Sequence, residues 1–244
     1  MLTRRQFLVT TAAALPLTVA QRTRTRDGHL NVSVKPPRQK IEHGDHQLGL
    51  GGDRDGLLIV PMNYRPDTPA PLAVMLHGAG GHAQRVASLF SVADGLGVIV
   101  LAPESRGPTW DAIRGGFGID VEFIEKALEY TFDRCAVDRR RIAVGGFSDG
   151  ATYGLSIGLG SGDLFSHVIA CSPGFVIPTS TRGRPAIFIS HGTADRILSI
   201  DSTSRRIVPE LQGAGYNVKY REFAGPHTVP PDIAREAFTW FLGR

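Results

Sequence analysis

An uninterrupted apolar run at residues 72–76 constrains the fold of this chain more than any other feature. The run reads Leu-Ala-Val-Met-Leu and ends at His77 and Gly78. A continuous run of this length is typical of a strand that is buried on both faces, as strands of parallel sheets are. We therefore expect a parallel sheet with helices packed on both of its sides.

Further strand and helix patterns alternate along the rest of the chain. The clearest helix is predicted at residues 119–131, where Val121, Ile124 and Leu128 recur on one face. Alternation of this kind predicts an α/β fold with one mostly parallel central sheet. Strands are predicted at residues 57–60, 72–76, 97–101, 141–144, 167–170, 186–190 and 218–223. Helices are predicted at residues 84–93, 119–131, 151–160, 202–212 and 232–242.

The first 40 residues differ in composition from the rest of the chain. Residues 1–20 are predicted to be a twin-arginine signal peptide, because Arg4 and Arg5 precede an apolar run that is too short for a membrane span. Residues 21–40 are polar and basic and are expected to form a loosely attached linker. Residues 41–244 are expected to form a single domain. The prediction is thus an exported, periplasmic or extracellular protein without a stable membrane anchor.

The formal charge of +4 is weak evidence for a nucleic-acid partner. Eight of the 27 basic residues, but only one of the 23 acidic residues, lie before residue 41. The remaining chain is slightly acidic, so no nucleic-acid binding is expected. Cys135 and Cys171 form no cluster with zinc-ligand spacing, and no metal site is expected. The sequence leaves open whether these two cysteines form a disulfide.

The segment GFSDG at residues 146–150 has the G-x-S-x-G pattern of a nucleophile elbow. A predicted strand precedes it and a predicted helix follows it, so Ser148 is expected on a tight corner at the carboxyl edge of the sheet. Gly146 and Gly150 leave room for such a corner because they lack a Cβ atom. Ser148 is therefore the predicted nucleophile, and the backbone amide of Asp149 is a predicted oxyanion donor.

A serine nucleophile needs a base and an acid that orients the base, and in this arrangement they follow in the order Ser, acid, His. Asp195 and His227 each lie just after a predicted strand, at the edge where Ser148 is expected. Asp195 is thus the predicted acid and His227 the predicted base. Asp201 is the rival acid, although it is better placed to cap the following helix. His191 is expected to support the Asp195 loop.

The loop HGAGGH at residues 77–82 is expected to supply the second oxyanion donor. Its small residues let a backbone amide approach a substrate carbonyl, and Ala79 is the best candidate. His77 is interpreted as a structural residue under this loop, and His82 as a residue that could line the pocket. The loop lacks both the P-loop pattern and the full G-x-G-x-x-G pattern, so no nucleotide cofactor is expected.

Together these motifs resemble the phospholipase/carboxylesterase family of α/β-hydrolases, near the feruloyl esterases and the polyhydroxyalkanoate-depolymerase-like esterases. The resemblance extends from about residue 57 to the C-terminus. It implies an α/β-hydrolase fold, a cofactor-free serine hydrolase, the triad Ser148, Asp195 and His227, and the oxyanion donors Ala79 and Asp149. The motifs that carry it are HGAGG at 77–81, SRGPTW at 105–110, GFSDG at 146–150, HGTAD at 191–195 and GPH at 225–227.

The resemblance also bears on the substrate. Many relatives carry Gln where this chain has Asp149, and an acid at this position is expected to discourage anionic substrates. The family would place Trp110 in the substrate cleft, but a partly buried core aromatic is an equally good interpretation.

The expected reaction is hydrolysis of a carboxylic ester through an acyl-enzyme, with short-chain acyl, feruloyl or polyester-type substrates. An acyltransferase or peptidase with the same triad, and a ligand-binding protein without activity, are the alternatives. The sequence does not predict the oligomeric state.

Overall fold

Residues 27–244, described in a computed structural model, form an eight-stranded sheet flanked by helices. The predicted signal peptide at residues 1–20 lies outside the described residues. No helix within 27–244 has the length and hydropathy needed to cross a membrane. The strands are β1 (Gly44–Gln47), β2 (Gly56–Val60), β3 (Ala70–Leu76), β4 (Ile99–Pro103), β5 (Val137–Phe147), β6 (His167–Cys171), β7 (Ala186–Gly192) and β8 (Val218–Phe223). The helices are α1 (Ala83–Leu89), α2 (Val92–Gly95), α3 (Asp111–Arg114), α4 (Ile119–Arg134), α5 (Asp149–Gly160), α6 (Ser204–Gly213) and α7 (Pro231–Phe241).

The sheet confirms the predicted fold class. Its strand order is β1-β2-β4-β3-β5-β6-β7-β8. All pairs from β4 to β8 are parallel, whereas β1 and β2 add antiparallel pairs at one edge. The apolar run that predicted the sheet is β3, which lies between β4 and β5. Parallel pairing brings the carboxyl ends of β3, β5, β7 and β8 to one edge, where ligand sites of such sheets form.

Successive residues of β3 pack into two separate cores, as the alternation of side chains along a strand requires. Leu72 and Val74 belong to the core that includes residues of α4, α5 and α6, while Ala73 belongs to the core beneath α1 and α7. Cys135 and Cys171 are free thiols that lie in different cores. The open question of a disulfide is thereby answered, because the sheet separates the two residues.

The described part of the predicted linker is packed against the domain. Leu30 is buried in the core beside α4 and α5, and its amide donates a hydrogen bond to Ser161 Oγ at 2.9 Å. Val32 and Val34 pack against the same core. Residues 27–40 are therefore not loosely attached as expected. Apolar residues at every second position give this basic stretch one side that can be buried.

Candidate active site

Ser148 occupies the corner between β5 and α5, as the sequence predicts. Its backbone has φ 58° and ψ −121°, and within residues 27–244 Ser172 is the other non-glycine residue with a positive φ. A non-glycine residue rarely adopts this conformation, which costs on the order of 1–3 kcal/mol and persists where surrounding packing enforces it. The strained backbone places Ser148 just beyond the carboxyl end of a central strand.

The two glycines of the motif are required by the close approach of β3. A Cβ atom added at Gly146 or at Gly150 would lie 2.2 Å from the carbonyl oxygen of Leu76. Such a contact is far inside van der Waals distance, and the opposing atom belongs to backbone. The corner therefore packs directly against the end of β3, which brings Ser148 next to the loop that follows this strand.

Asp195 and His227 meet on neighbouring loops at the same edge of the sheet. Asp195 follows β7 and His227 follows β8, and the His227 Nδ1 atom lies 2.6 Å from Asp195 Oδ2. The other carboxylate oxygen accepts hydrogen bonds from the amides of Ile197 and Leu198, both at 2.8 Å. The His227 ring also packs on Phe147, with ring centroids 4.5 Å apart. The imidazole is thus held by a fixed carboxylate and by an aromatic neighbour.

The hydrogen bonds of Asp195 keep this buried carboxylate ionised. Burial alone raises its pKa, but donors from Leu198, His227 and Ile197 outweigh burial and hold the pKa below its ordinary value. An ionised carboxylate can only accept, so His227 Nδ1 carries the proton of the shared hydrogen bond. In the neutral ring Nε2 is then free to accept a proton, as a general base requires.

A second imidazole, that of His191, also contacts the acid. Its Nε2 atom lies 2.8 Å from the carbonyl oxygen of Leu198 and 3.2 Å from Asp195 Oδ2, and its Nδ1 atom lies 2.7 Å from Ser204 Oγ. The ring is fully buried, and burial lowers its pKa, so it is neutral at physiological pH. Because a carbonyl can only accept, Nε2 carries the proton and Nδ1 accepts from the serine hydroxyl. His191 thus supports the Asp195 loop, as expected.

Ser148 and His227 line one cavity of about 350 Å³. Within residues 27–244 no hydrogen bond joins their side chains, a common situation in sites without substrate. Of the other predicted site residues, Ala79 and His82 line the cavity, and His82 is exposed. The complete lining consists of His77, Gly78, Ala79, Gly80, Gly81, His82, Arg85, Val86, Leu89, Phe147, Ser148, Ile197 and His227.

In the loop after β3, the amides of Gly80 and Gly81 are bonded within the protein. The Gly80 amide donates to the carbonyl of Pro108 at 2.7 Å, and the Gly81 amide donates to that of Gly78 at 3.0 Å. Within the described part of the chain, the amides of Ala79 and Asp149 donate to no acceptor. The two amides predicted as oxyanion donors are therefore unoccupied.

Trp110 does not line the cavity, so its predicted role in the substrate cleft is wrong. The side chain is fully buried, and its Nε1 atom donates to the carbonyl of His77 at 2.8 Å. It also packs against the rings of His77 and Tyr153. Trp110 therefore supports the loop after β3 from below. The alternative interpretation, a core aromatic, is the one the structure bears out.

Asp201 is excluded as the triad acid. Its carboxylate is exposed and pairs with Arg205 at 2.6 Å. It does not cap a helix either, since α6 begins at Ser204 with Thr203 at its N-cap. The reason is that the chain turns once more between Asp201 and the helix, which places the acid on the surface.

Sequence reasoning missed Arg54, which holds the oxyanion loop in place. Its Nη2 atom donates to the carbonyl of Gly81 at 2.8 Å and lies 3.2 Å from His77 Nε2. The same His77 nitrogen accepts the amide of Ser105 at 3.0 Å. Arg54 lies in the loop before β2 and belongs to no motif, so no sequence signal pointed to it.

The sheet order and the strained serine at the end of β5 define an α/β-hydrolase fold. A solved structure has a similar fold: S-formylglutathione hydrolase FrmB from Staphylococcus aureus superposes with a TM-score of 0.66 at 16% identity, covering 85% of this chain and 99% of that one. Within this class, the family described as phospholipase/carboxylesterase matches residues 116–233. The match confirms the resemblance to the phospholipase/carboxylesterase family that the motifs indicated.

Curated relatives carry esterase names. The probable feruloyl esterase C of Aspergillus oryzae is 27% identical over 170 residues, which cover 66% of this chain and 61% of the relative. The putative esterase NocK of Nocardia uniformis is 28% identical over 163 residues, covering 59% of this chain and 46% of the relative. The chain thus spans about three fifths of the length of the feruloyl esterase that it matches.

Proposed function

We propose that this protein is a serine hydrolase that cleaves carboxylic esters, with Ser148 as nucleophile, His227 as base and Asp195 as orienting acid. One observation carries the proposal. A serine at a strained strand-to-helix corner shares a cavity with an imidazole whose Nδ1 is held by a buried carboxylate. The relatives are named esterases, which supports an ester as the bond that is cleaved.

The reaction proceeds in two steps. His227 Nε2 takes the hydroxyl proton of Ser148 as Oγ attacks the ester carbonyl carbon, and the amides of Ala79 and Asp149 donate to the oxyanion. The intermediate collapses to an acyl-enzyme as His227 returns the proton to the leaving alcohol. Water then attacks the acyl-enzyme by the same route and releases the acid and Ser148. Asp195 stabilises the imidazolium in both steps.

The cavity supports a substrate of modest size. About 350 Å³ is near the lower end of small-molecule sites, and Val86, Leu89 and Phe147 give it apolar walls. Short-chain acyl, feruloyl and polyester-type esters are the proposed substrates. The fungal relatives' names favour an aromatic acyl group among these.

Replacing the nucleophile tests the assignment. Ser148→Ala is expected to reduce hydrolysis of p-nitrophenyl acetate to the background rate and to abolish labelling by a fluorophosphonate probe, because the attacking oxygen is lost. Ser88→Ala, at an exposed position on α1 outside this cavity, is the matched control and should keep both. Full turnover in a folded Ser148→Ala protein would refute the proposal. Product analysis with added alcohol separates hydrolysis from acyl transfer.

A further inference from the structure

The cavity that holds Ser148 has an uneven charge. Among the described residues that line it, Arg85 is the one with a permanent charge, and none is Asp or Glu. The remaining walls are glycine backbone, apolar side chains, imidazoles and the Ser148 hydroxyl. A low-polarity concavity with a single cation focuses a positive potential on whatever binds there.

The two acids that adjoin the site are turned away from this cavity. The Asp149 carboxylate accepts a hydrogen bond from Thr109 Oγ1 at 2.6 Å and does not line the cavity. Asp195 lies behind His227 with its side chain fully buried and both oxygens bonded. The Asp149 carboxylate is therefore not presented directly to a bound anion.

Arg85 itself is available for a ligand. Its side chain is exposed, and its guanidinium makes no hydrogen bond or ion pair with any other residue of 27–244. By contrast, Arg54 and Arg205 are held by carbonyls or carboxylates at 2.6–2.8 Å. A free guanidinium presents a planar fork of donors that matches a carboxylate.

The position of Arg85 on α1 defines how a substrate would meet it. Leu89 lies four residues further along the same helix, so the two side chains share one face. Both line the cavity together with Ser148. A substrate that fits these residues has its ester carbonyl at Ser148, an apolar part against Leu89 and an anionic group at Arg85.

We propose that Arg85 is a specificity-determining residue that selects esters carrying a carboxylate beyond the scissile bond. This inference rests on the proposed esterase function. The substrates it favours are half-esters of dicarboxylic acids and acyl esters of carboxylated phenols. The charge on Arg85 pairs with that carboxylate while the ester carbonyl lies at Ser148.

Two matched substrate pairs test the proposal by differing in charge alone. The first pair is 4-acetoxybenzoate and 4-acetoxybenzamide, with the charge on the alcohol side. The second is monoethyl adipate and ethyl adipamate, with the charge on the acyl side. For each pair, the ratio of kcat/KM for the acid to kcat/KM for the amide is measured in the wild type and in Arg85→Gln. We expect the ratio to fall by about fivefold in Arg85→Gln for at least one substrate pair. The effect is modest because the ion pair between Arg85 and the substrate carboxylate is exposed to solvent.

Three controls make the outcome specific. Arg85→Lys keeps the charge and should keep most of the preference. Arg140→Gln removes an exposed arginine near the amino end of β5, roughly 25 Å along the strand from Ser148, and its ratio should equal that of the wild type. Raising NaCl to 1 M should reduce the wild-type ratio towards that of Arg85→Gln, since ions screen an exposed pair.

Unchanged ratios in Arg85→Gln for both pairs would overturn the inference. Failure of the proposed function looks different, because the wild type would then hydrolyse neither member of a pair. In that case, calorimetric titration of Ser148→Ala with 4-acetoxybenzoate and with its amide still tests whether Arg85 binds the carboxylate. Tighter binding of the acid that is lost in the Ser148→Ala/Arg85→Gln double variant supports the role of Arg85, and equal binding refutes it.

Discussion

Replacing His191 with alanine removes a buried group that bonds three partners at the back of the candidate triad. Ser204 Oγ and the carbonyl of Leu198 lose their hydrogen bonds to the imidazole, at 2.7 and 2.8 Å. Each buried polar group left without a partner costs about 1–3 kcal/mol. Asp195 keeps its bonds to His227 and to two amides, so it adds little. The expected loss of unfolding free energy is therefore about 4 kcal/mol.

Urea denaturation at pH 7.5, followed by tryptophan fluorescence, measures this loss by linear extrapolation. The chain has two tryptophans, Trp110 and Trp240, and both are packed against rings in the described structure. We also expect kcat for p-nitrophenyl acetate to fall while KM changes little, because His191 does not line the cavity. This pattern is that of a positioning residue rather than a binding residue.

A conservative variant separates the hydrogen bonds from simple filling of space. His191→Gln can return an N–H donor to the Leu198 carbonyl, so it should recover part of the stability and of kcat, whereas His191→Leu fills space without a donor. A His191→Ala protein within 0.5 kcal/mol of the wild type, with the same kcat, would show that the buried contacts do not stabilise the acid loop.

Two further predictions concern the corner and the pH dependence of stability. Gly150→Ala should lower the free energy of unfolding by about 1–3 kcal/mol and abolish most of the esterase activity, because its Cβ would lie 2.2 Å from the Leu76 carbonyl oxygen. Gly213→Ala, whose Cβ would have no neighbour within 4 Å, is the control in the same denaturation assay. Equal stability of the two variants would contradict the packing argument. Burial lowers the pKa of His77, His167 and His191 below 6.5, so the unfolded chain binds more protons than the folded chain below that pH. The free energy of unfolding should therefore fall by about 1–2 kcal/mol between pH 7.5 and 5.5, which lowers the urea midpoint. His167→Gln should flatten this dependence, and a midpoint that rises on acidification would refute the argument.

The central strands were predictable because burial on both faces leaves a continuous apolar signature. The run at 72–76 and the short apolar segments before Ser148 and Asp195 all became strands of the parallel sheet. The helix predicted at 84–93 is instead α1 and α2, with Phe90 as the C-cap of the first. Both pieces bury side chains in the same core, so one amphipathic pattern covers two helices and hides the break.

The candidate site was predictable where the chemistry requires particular residue types at the end of a strand. It was not predictable where contacts between distant segments determine the position of a side chain. Ser148, Asp195 and His227 follow strands whose order brings their loops together. Trp110 had two interpretations because an aromatic residue after a Gly-Pro turn suits a cleft and a core equally well. In the structure its indole proton is donated to the carbonyl of His77. This is a contact between distant segments, which no local sequence pattern encodes.

The second imidazole on Asp195 gives the acid a donor without giving it a competing charge. In the transition state the carboxylate must stabilise an imidazolium at His227, and a permanent cation at position 191 would already hold part of that attraction. Like charge at 191 would also make His227 harder to protonate. Burial keeps His191 neutral, so it supplies a dipole that fixes the carboxylate and leaves its full charge for His227. The same reasoning explains why the acid loop contains two further neutral donors, the amides of Ile197 and Leu198, and why within residues 27–244 no lysine or arginine side chain bonds Asp195.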